Sequence, residues 1–182
     1  MIPNTLTYPL ADQELFRKGI LYGRWKKKYG QKLIFKDMGK WVAKSKQIPS
    51  KCPHKIKRIY GFGELFAAIH YMNKRLGYEV TFEYWEKKWN SKSYRKAVEI
   101  LGKEAADFIC QSHPQPPDLF VVDREKRFFF VEVKLPGDQL NQKQVAFNGK
   151  IKRYLNKHNF QSRRARHMRK GHWIELLRLK PE

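Results

Sequence analysis

Pro117-Asp118-Leu119-Phe120-Val121-Val122 and Phe128-Phe129-Phe130-Val131-Glu132-Val133-Lys134 decide how this chain folds. Both are short apolar runs rich in Val and Phe, the composition of buried strands. The segment between them, Asp123-Arg124-Glu125-Lys126-Arg127, is polar and short enough for a hairpin connection. A loop at 124–126 pairs Val122 with Phe128 and sets Asp118 opposite Glu132, on the same face. A one-residue slip would send Glu132 to the other side of the sheet. Glu132 and Lys134 are two apart on one strand and therefore share a face. Two carboxylates and an ammonium thus converge at the strand ends. Charges in an apolar pair need a partner or a coordinated ion, and this set fits a divalent cation with a lysine beside it. The plainer alternative is a solvated ion pair on a surface hairpin, since Glu-x-Lys is a common triplet.

The following residues weigh against that alternative. Lys134-Leu135-Pro136-Gly137-Asp138-Gln139-Leu140-Asn141-Gln142-Lys143-Gln144 breaks the strand at Pro and Gly and then opens a helix. Asn141 is the expected N-cap, with Gln144 as its capping-box partner. Pro117-Asp118-Leu119, Val131-Glu132-Val133-Lys134, Pro136, Asp138, Leu140 and Gln144, in that order, resemble the VRR-NUC branch of the PD-(D/E)XK nucleases. The resemblance is strongest over 117–147, extends more loosely from about Tyr60 to Leu179, and leaves out the first 58 residues. One departure is Leu135, where many relatives carry Gly.

The resemblance implies a restriction-endonuclease-like α/β fold, a mixed sheet flanked by helices with an α-β-β-β-α-β core. It implies metal-dependent phosphodiester hydrolysis. Asp118 and Glu132 would hold Mg²⁺ or Mn²⁺ through hard oxygen donors, and Lys134 would act on the attacking water or the phosphate. The carbonyl of Val133 and the carboxylate of Glu64 are further ligands that the resemblance implies. Gln144 carries two readings, helix capping and site shaping. Stand-alone relatives tend to be homodimers that resolve four-way DNA junctions, whereas versions fused to other domains tend to cut flaps.

Composition points the same way. The chain has 182 residues, enough for one domain with a sizeable core. Its net charge of +22, with 39 Lys and Arg, exceeds solubility needs and suggests a polyanionic partner, nucleic acid first. No apolar run approaches the length of a membrane span. Without a recognisable export signal the expected location is intracellular, in cytoplasm or nucleoid. Cys52 and Cys110 make no disulfide framework. With His54 and His113 they also lack a common zinc spacing, so zinc is left out.

Residues 1–58 hold 12 Lys and 3 Arg against Asp12, Glu14 and Asp37, and so contribute +12 of the +22. They are read as a basic N-terminal arm preceding a nuclease domain at 59–182. Arg24, Lys26, Lys27 and Lys28 are its candidate phosphate contacts. Trp25, Tyr29 and Trp41 either stack on bases or anchor the arm to the core. Apolar spacing in 11–29 is helical, weakened by Gly19 and Gly23. Helices are expected at 61–75, 92–111 and 142–158, the last with Val145, Ala146, Ile151, Tyr154 and Leu155 inward. Strands are expected at 78–84 and 173–179. The acid-free segment 159–171, with Arg163, Arg164, Arg166, Arg169 and Lys170, is read as a DNA-contacting loop rather than a solvated charge run.

The reading is therefore a Mg²⁺- or Mn²⁺-dependent endodeoxyribonuclease, structure-selective for branched DNA and acting as a homodimer. The alternative is a nucleic-acid-binding or assembly protein that keeps the fold without cleaving.

Overall fold

The hairpin forms in the expected register, with Leu119 opposite Val131 and Val122 opposite Phe128. The Asp123 side chain closes it, Oδ1 accepting from the backbone N–H of Glu125 and of Arg127 at 2.9 Å each. Lys126 supplies the left-handed residue of the loop, at φ 58°. The hairpin sits inside a five-stranded sheet of a computed structural model that describes residues 2–29, 61–73, 79–82, 92–111, 117–158, 160 and 173–182.

Within these residues the elements run β1 (Ile2–Tyr8), α1 (Leu10–Arg17), α2 (Ile20–Tyr29), α3 (Phe62–Asn73), β2 (Glu79–Phe82), α4 (Lys92–Leu101), α5 (Lys103–Gln111), β3 (Leu119–Val122), β4 (Phe128–Lys134), α6 (Gln142–Lys157) and β5 (Ile174–Pro181). The sheet order is β1-β5-β4-β3-β2. Strands β1, β5 and β4 are parallel, whereas β3 and β2 join antiparallel. This is the mixed, restriction-endonuclease-like α/β sheet expected from the sequence.

The sheet is covered on both faces. Val121, Phe129, Val131, Val133, Leu177 and Leu179 pack under α1–α3. Phe120, Val122, Phe128, Phe130 and Ile174 pack under α4–α6. Strand β4 is buried along its whole length, as a central strand with both faces covered must be. Two expected helices are each broken in two by a left-handed glycine, Gly19 at φ 80° and Gly102 at φ 81°.

The described part of the N-terminal segment packs into the core. Strand β1 is hydrogen-bonded in parallel to β5 from Ile2↔Glu175 to Tyr8↔Pro181. Tyr8 and Phe16 are essentially inaccessible. Trp25 stacks on Phe62 at 6.2 Å between ring centroids, and Phe16 meets the same ring edge-on at 5.5 Å. Tyr29 is buried with its hydroxyl against Asn73. Trp25 and Tyr29 are therefore packing residues. The physical reason is that β5 has two edges and β4 covers one of them. A ladder edge carrying Leu177 and Leu179 gains both hydrogen bonds and apolar burial from β1. Trp41 lies outside the described residues.

Helix α6 also faces differently from expectation. Val145 is 53% exposed and Ala146 is exposed, while Phe147, Ile151 and Leu155 face the core. The inward stripe is Gln144, Phe147/Asn148, Ile151 and Leu155. Its first member is polar because it meets charges rather than apolar side chains.

Deleting residues 1–9 should abolish cooperative thermal unfolding or leave the protein insoluble. It strips the partner from β5 and removes the buried Tyr8, a side chain worth roughly 1.5–3 kcal/mol of burial. A fragment as stable as the whole chain, measured by circular dichroism, would restore the dispensable arm.

Candidate metal and nucleic-acid site

The end of β4 carries a charged group that the packing forces into contact. Glu132 has no accessible surface and Lys134 is 8% exposed. Lys134 Nζ donates to Glu132 Oε1 at 2.7 Å. Gln144, from the first turn of α6, donates through Nε2 to the same oxygen at 2.5 Å and accepts from Lys134 Nζ through Oε1 at 3.3 Å. That Oε1 also takes the Asn141 backbone N–H at 3.2 Å, while Asn141 Oδ1 accepts from Gln144 N at 2.8 Å. The capping box and the bonds to the site are thus made by one amide at once. Gln144 therefore caps α6 and also contacts Glu132 and Lys134.

Glu132 Oε2, buried like its twin, accepts no hydrogen bond among the described residues. Burial pushes the Glu132 carboxyl above its ordinary value, against the pull of Lys134. An orphaned buried carboxylate oxygen is costly unless a cation meets it.

Asp118, in the last turn of chain before β3, is half-buried. Its Oδ2 accepts from the backbone N–H of Val133 at 2.7 Å, which fixes it beside β4. That places Asp118 next to the Val133 peptide, whose carbonyl was implied as a ligand.

Glu64 arrives from the opposite layer. It lies in the first turn of α3, half-buried. Burial, with Glu132 and Asp138 nearby, pushes its carboxyl up, while its own backbone and Lys134 pull the other way. The helix comes this close because residue 63 has no side chain: a Cβ on Gly63 would stand 3.3 Å from Val133 Cγ1 and 3.4 Å from Leu135 Cγ. The Leu135 side chain, the one departure from the family pattern, fills the space over Gly63.

Glu132, Lys134 and Gln144 are therefore brought into direct contact, Asp118 is tied to the neighbouring peptide, and Glu64 is within electrostatic reach. Among the described residues, no three His, Cys, Asp or Glu side chains gather into a ligand set by themselves. Arg24, Lys26, Lys27 and Lys28 are exposed on α2, with Lys28 Nζ 5.3 Å from the Tyr29 ring centre. Arg163, Arg164, Arg166, Arg169 and Lys170 lie outside the described residues.

Two residues beyond the candidates bear on the site: Gly63, which the sequence did not single out, and Asp138, which it quoted only as part of the resemblance. Gly63 was visible only as one more glycine in a helix. Asp138 sets a further negative charge facing Glu64, held by a turn in which its Oδ2 accepts from Leu135 N at 3.4 Å. Asn148, one turn beyond Gln144, is buried with neither amide atom bonded among the described residues, and nothing in the packing explains it. No helix of the described residues is long and apolar enough to cross a membrane.

Compared with known proteins, residues 66–166 match the family model of the VRR-NUC domain. No curated protein and no solved structure matches the chain.

The geometry predicts that Asp118→Asn retains the fold, because the amide oxygen still accepts from Val133 N–H. Asp118→Ala strands that donor and should cost about 1–3 kcal/mol in urea unfolding. Equal stability of the two variants would refute the anchoring role.

Proposed function

Because this chain belongs to the VRR-NUC family, and so to the PD-(D/E)XK nuclease superfamily, we propose that it is a metal-dependent endonuclease hydrolysing DNA phosphodiester bonds. The observation that carries this reading is Glu132: a fully buried carboxylate with one oxygen held by Lys134 and Gln144 and the other without a partner among the described residues. A hard divalent cation is the ligand that such an oxygen suits. Asp118, Glu132 and the Val133 carbonyl would hold Mg²⁺ or Mn²⁺, with Glu64 contributed from α3. When bound, the cation polarises the scissile phosphate and lowers the pKa of a water for in-line attack.

The chain's own groups do the rest. Lys134, held by Glu132 and Gln144, orients the water or offsets charge growing on the phosphate. Gln144 fixes the rotamers of both through its three bonds. The exposed cations of α2 and the basic segment at 163–170 bind the DNA backbone, inside the cell. Converging acids favour cleavage over a non-cleaving binding or assembly role, since a pure binder gains nothing from carboxylates facing phosphates.

Asp118→Asn and Glu132→Gln should each abolish metal-dependent cleavage while metal-free DNA binding persists or tightens, because a repulsive charge is gone. Lys134→Ala should lower turnover with little loss of metal affinity. Gel assays with and without Mg²⁺ or Mn²⁺ decide this, and full activity of either acid variant would refute the assignment.

The preferred substrate on this reading is branched DNA, cut by a homodimer whose two-fold axis matches a four-way junction. Strand β2 supports pairing of subunits, as an edge of the sheet among the described residues. Sedimentation should give a dimer, and a mobile junction should be cut in preference to the matching linear duplex. A monomer cutting both equally would leave a general nuclease.

A further inference from the structure

The site-bearing face of the sheet continues past the metal-site acids into a strip that no helix of the described residues covers. Lys134 on β4 stands in register with Arg178 on β5, which pairs in turn with Thr5 on β1. Residues paired this way point to the same face, and the burial of their neighbours agrees: Val133, Leu177 and Leu179 all belong to the opposite layer. Along β5 the pattern is buried through Leu177, then exposed at Arg178, buried at Leu179 and exposed at Lys180. Lys180 is in register with Thr7, and Thr5 and Thr7 are also exposed. Glu182, accepting from Thr7 Oγ1 at 3.0 Å, is the acid that bounds the strip.

Three features separate this strip from ordinary surface charge. Strand β5 is paired on both sides as far as Arg178, so that cation does not guard a sheet edge, and Lys180 stands just beyond the end of the β4 pairing. Among the described residues neither Arg178 nor Lys180 forms an ion pair. The strip also starts at the reaction centre. With about 4.8 Å between strands and about 3.3 Å per residue, Arg178 begins one strand from Lys134 and Lys180 about 6.6 Å further on.

We propose that Arg178 and Lys180, with the Thr5 hydroxyl beside them, form a phosphate-binding track that carries the DNA backbone away from the site across β5 and β1. This rests on the nuclease reading for its direction, but not for its binding. Guanidinium and ammonium take the phosphate charge, the first in a bidentate fork and the second as a point charge. The Thr5 hydroxyl donates to a phosphate oxygen without adding charge, a sequence-independent contact, whereas the Thr7 proton is already given to Glu182. The role of β1 is then twofold, since the strand that completes the sheet also supplies part of the track.

The test is binding of a fluorescent DNA duplex to the full chain in EDTA, read as anisotropy across a salt series. Arg178→Gln with Lys180→Gln should reduce the slope of log K against log salt by about 2, as expected for two lost phosphate contacts. Lys180→Glu should weaken binding further at low salt. The comparison is Arg124→Gln with Lys126→Gln, which removes the same charge from the far end of the β3–β4 hairpin and should reduce the slope by less. An unchanged slope in the β5 variant, an equal reduction in the hairpin variant, or no DNA binding by the unaltered chain would each overturn the track. Reduced binding by the β5 variant in a protein that cuts no DNA would uphold the track and refute the nuclease reading instead.

Discussion

A carboxylate with no access to water, paired on one oxygen only among the described residues, is the constraint around which this molecule is arranged. Glu132 sits on the central strand, where every neighbour on β4 is buried. Such a charge is held in place only by partners within the protein. Lys134 comes from the same strand face and Gln144 from the helix that follows, so the turn at Pro136–Gly137 has to return the chain over β4. The capping box of α6 serves that end, because the residue that satisfies the helix N-terminus is the residue that reaches Glu132. The helix register follows. Once Gln144 faces inward, Phe147, Ile151 and Leu155 must follow it into the core and Val145 must turn outward.

The opposite layer matters to the same group in a less direct way. Glu64 is positioned by how closely α3 approaches the end of β4, and that approach depends on Gly63 meeting Val133 and Leu135. Phe62 stands immediately before Gly63 and is wedged among Tyr8, Phe16 and Trp25. The N-terminal segment therefore fixes the start of the helix that brings the third acid. On the proposed reading the aromatic cluster is a support for the metal site, and its exposed cations on α2 are the part of the segment left to meet DNA.

Charge is distributed unevenly for the same reason. Acids that neighbour the site, Glu64, Glu132 and Asp138, repel one another, and burial raises the first two further. Among the described residues Glu132 is held by Lys134 and Gln144, inside a protein of net charge +22. On the proposed reading, a long-range positive field draws in a polyanion, and the acids at the strand ends take a divalent ion before phosphate approaches.

The sequence by itself determined the hairpin and its register, because two apolar runs joined by a short polar loop at 124–126 pair so that Asp118 and Glu132 share one face. It also determined the capping box, whose partners are three residues apart, and the family, whose residues cluster in one continuous stretch. These are local signals. Tertiary structure alone decided the place of residues 2–29, since a parallel strand pairs with a partner some 170 positions away and leaves no local trace. It also decided that Trp25 packs rather than stacks on bases, because only the ring of Phe62 distinguishes the two. The same holds for Gly63 and for Arg178: one is defined by what it nearly touches, the other by the lysine on the next strand. Neither relation is written in spacing along the chain.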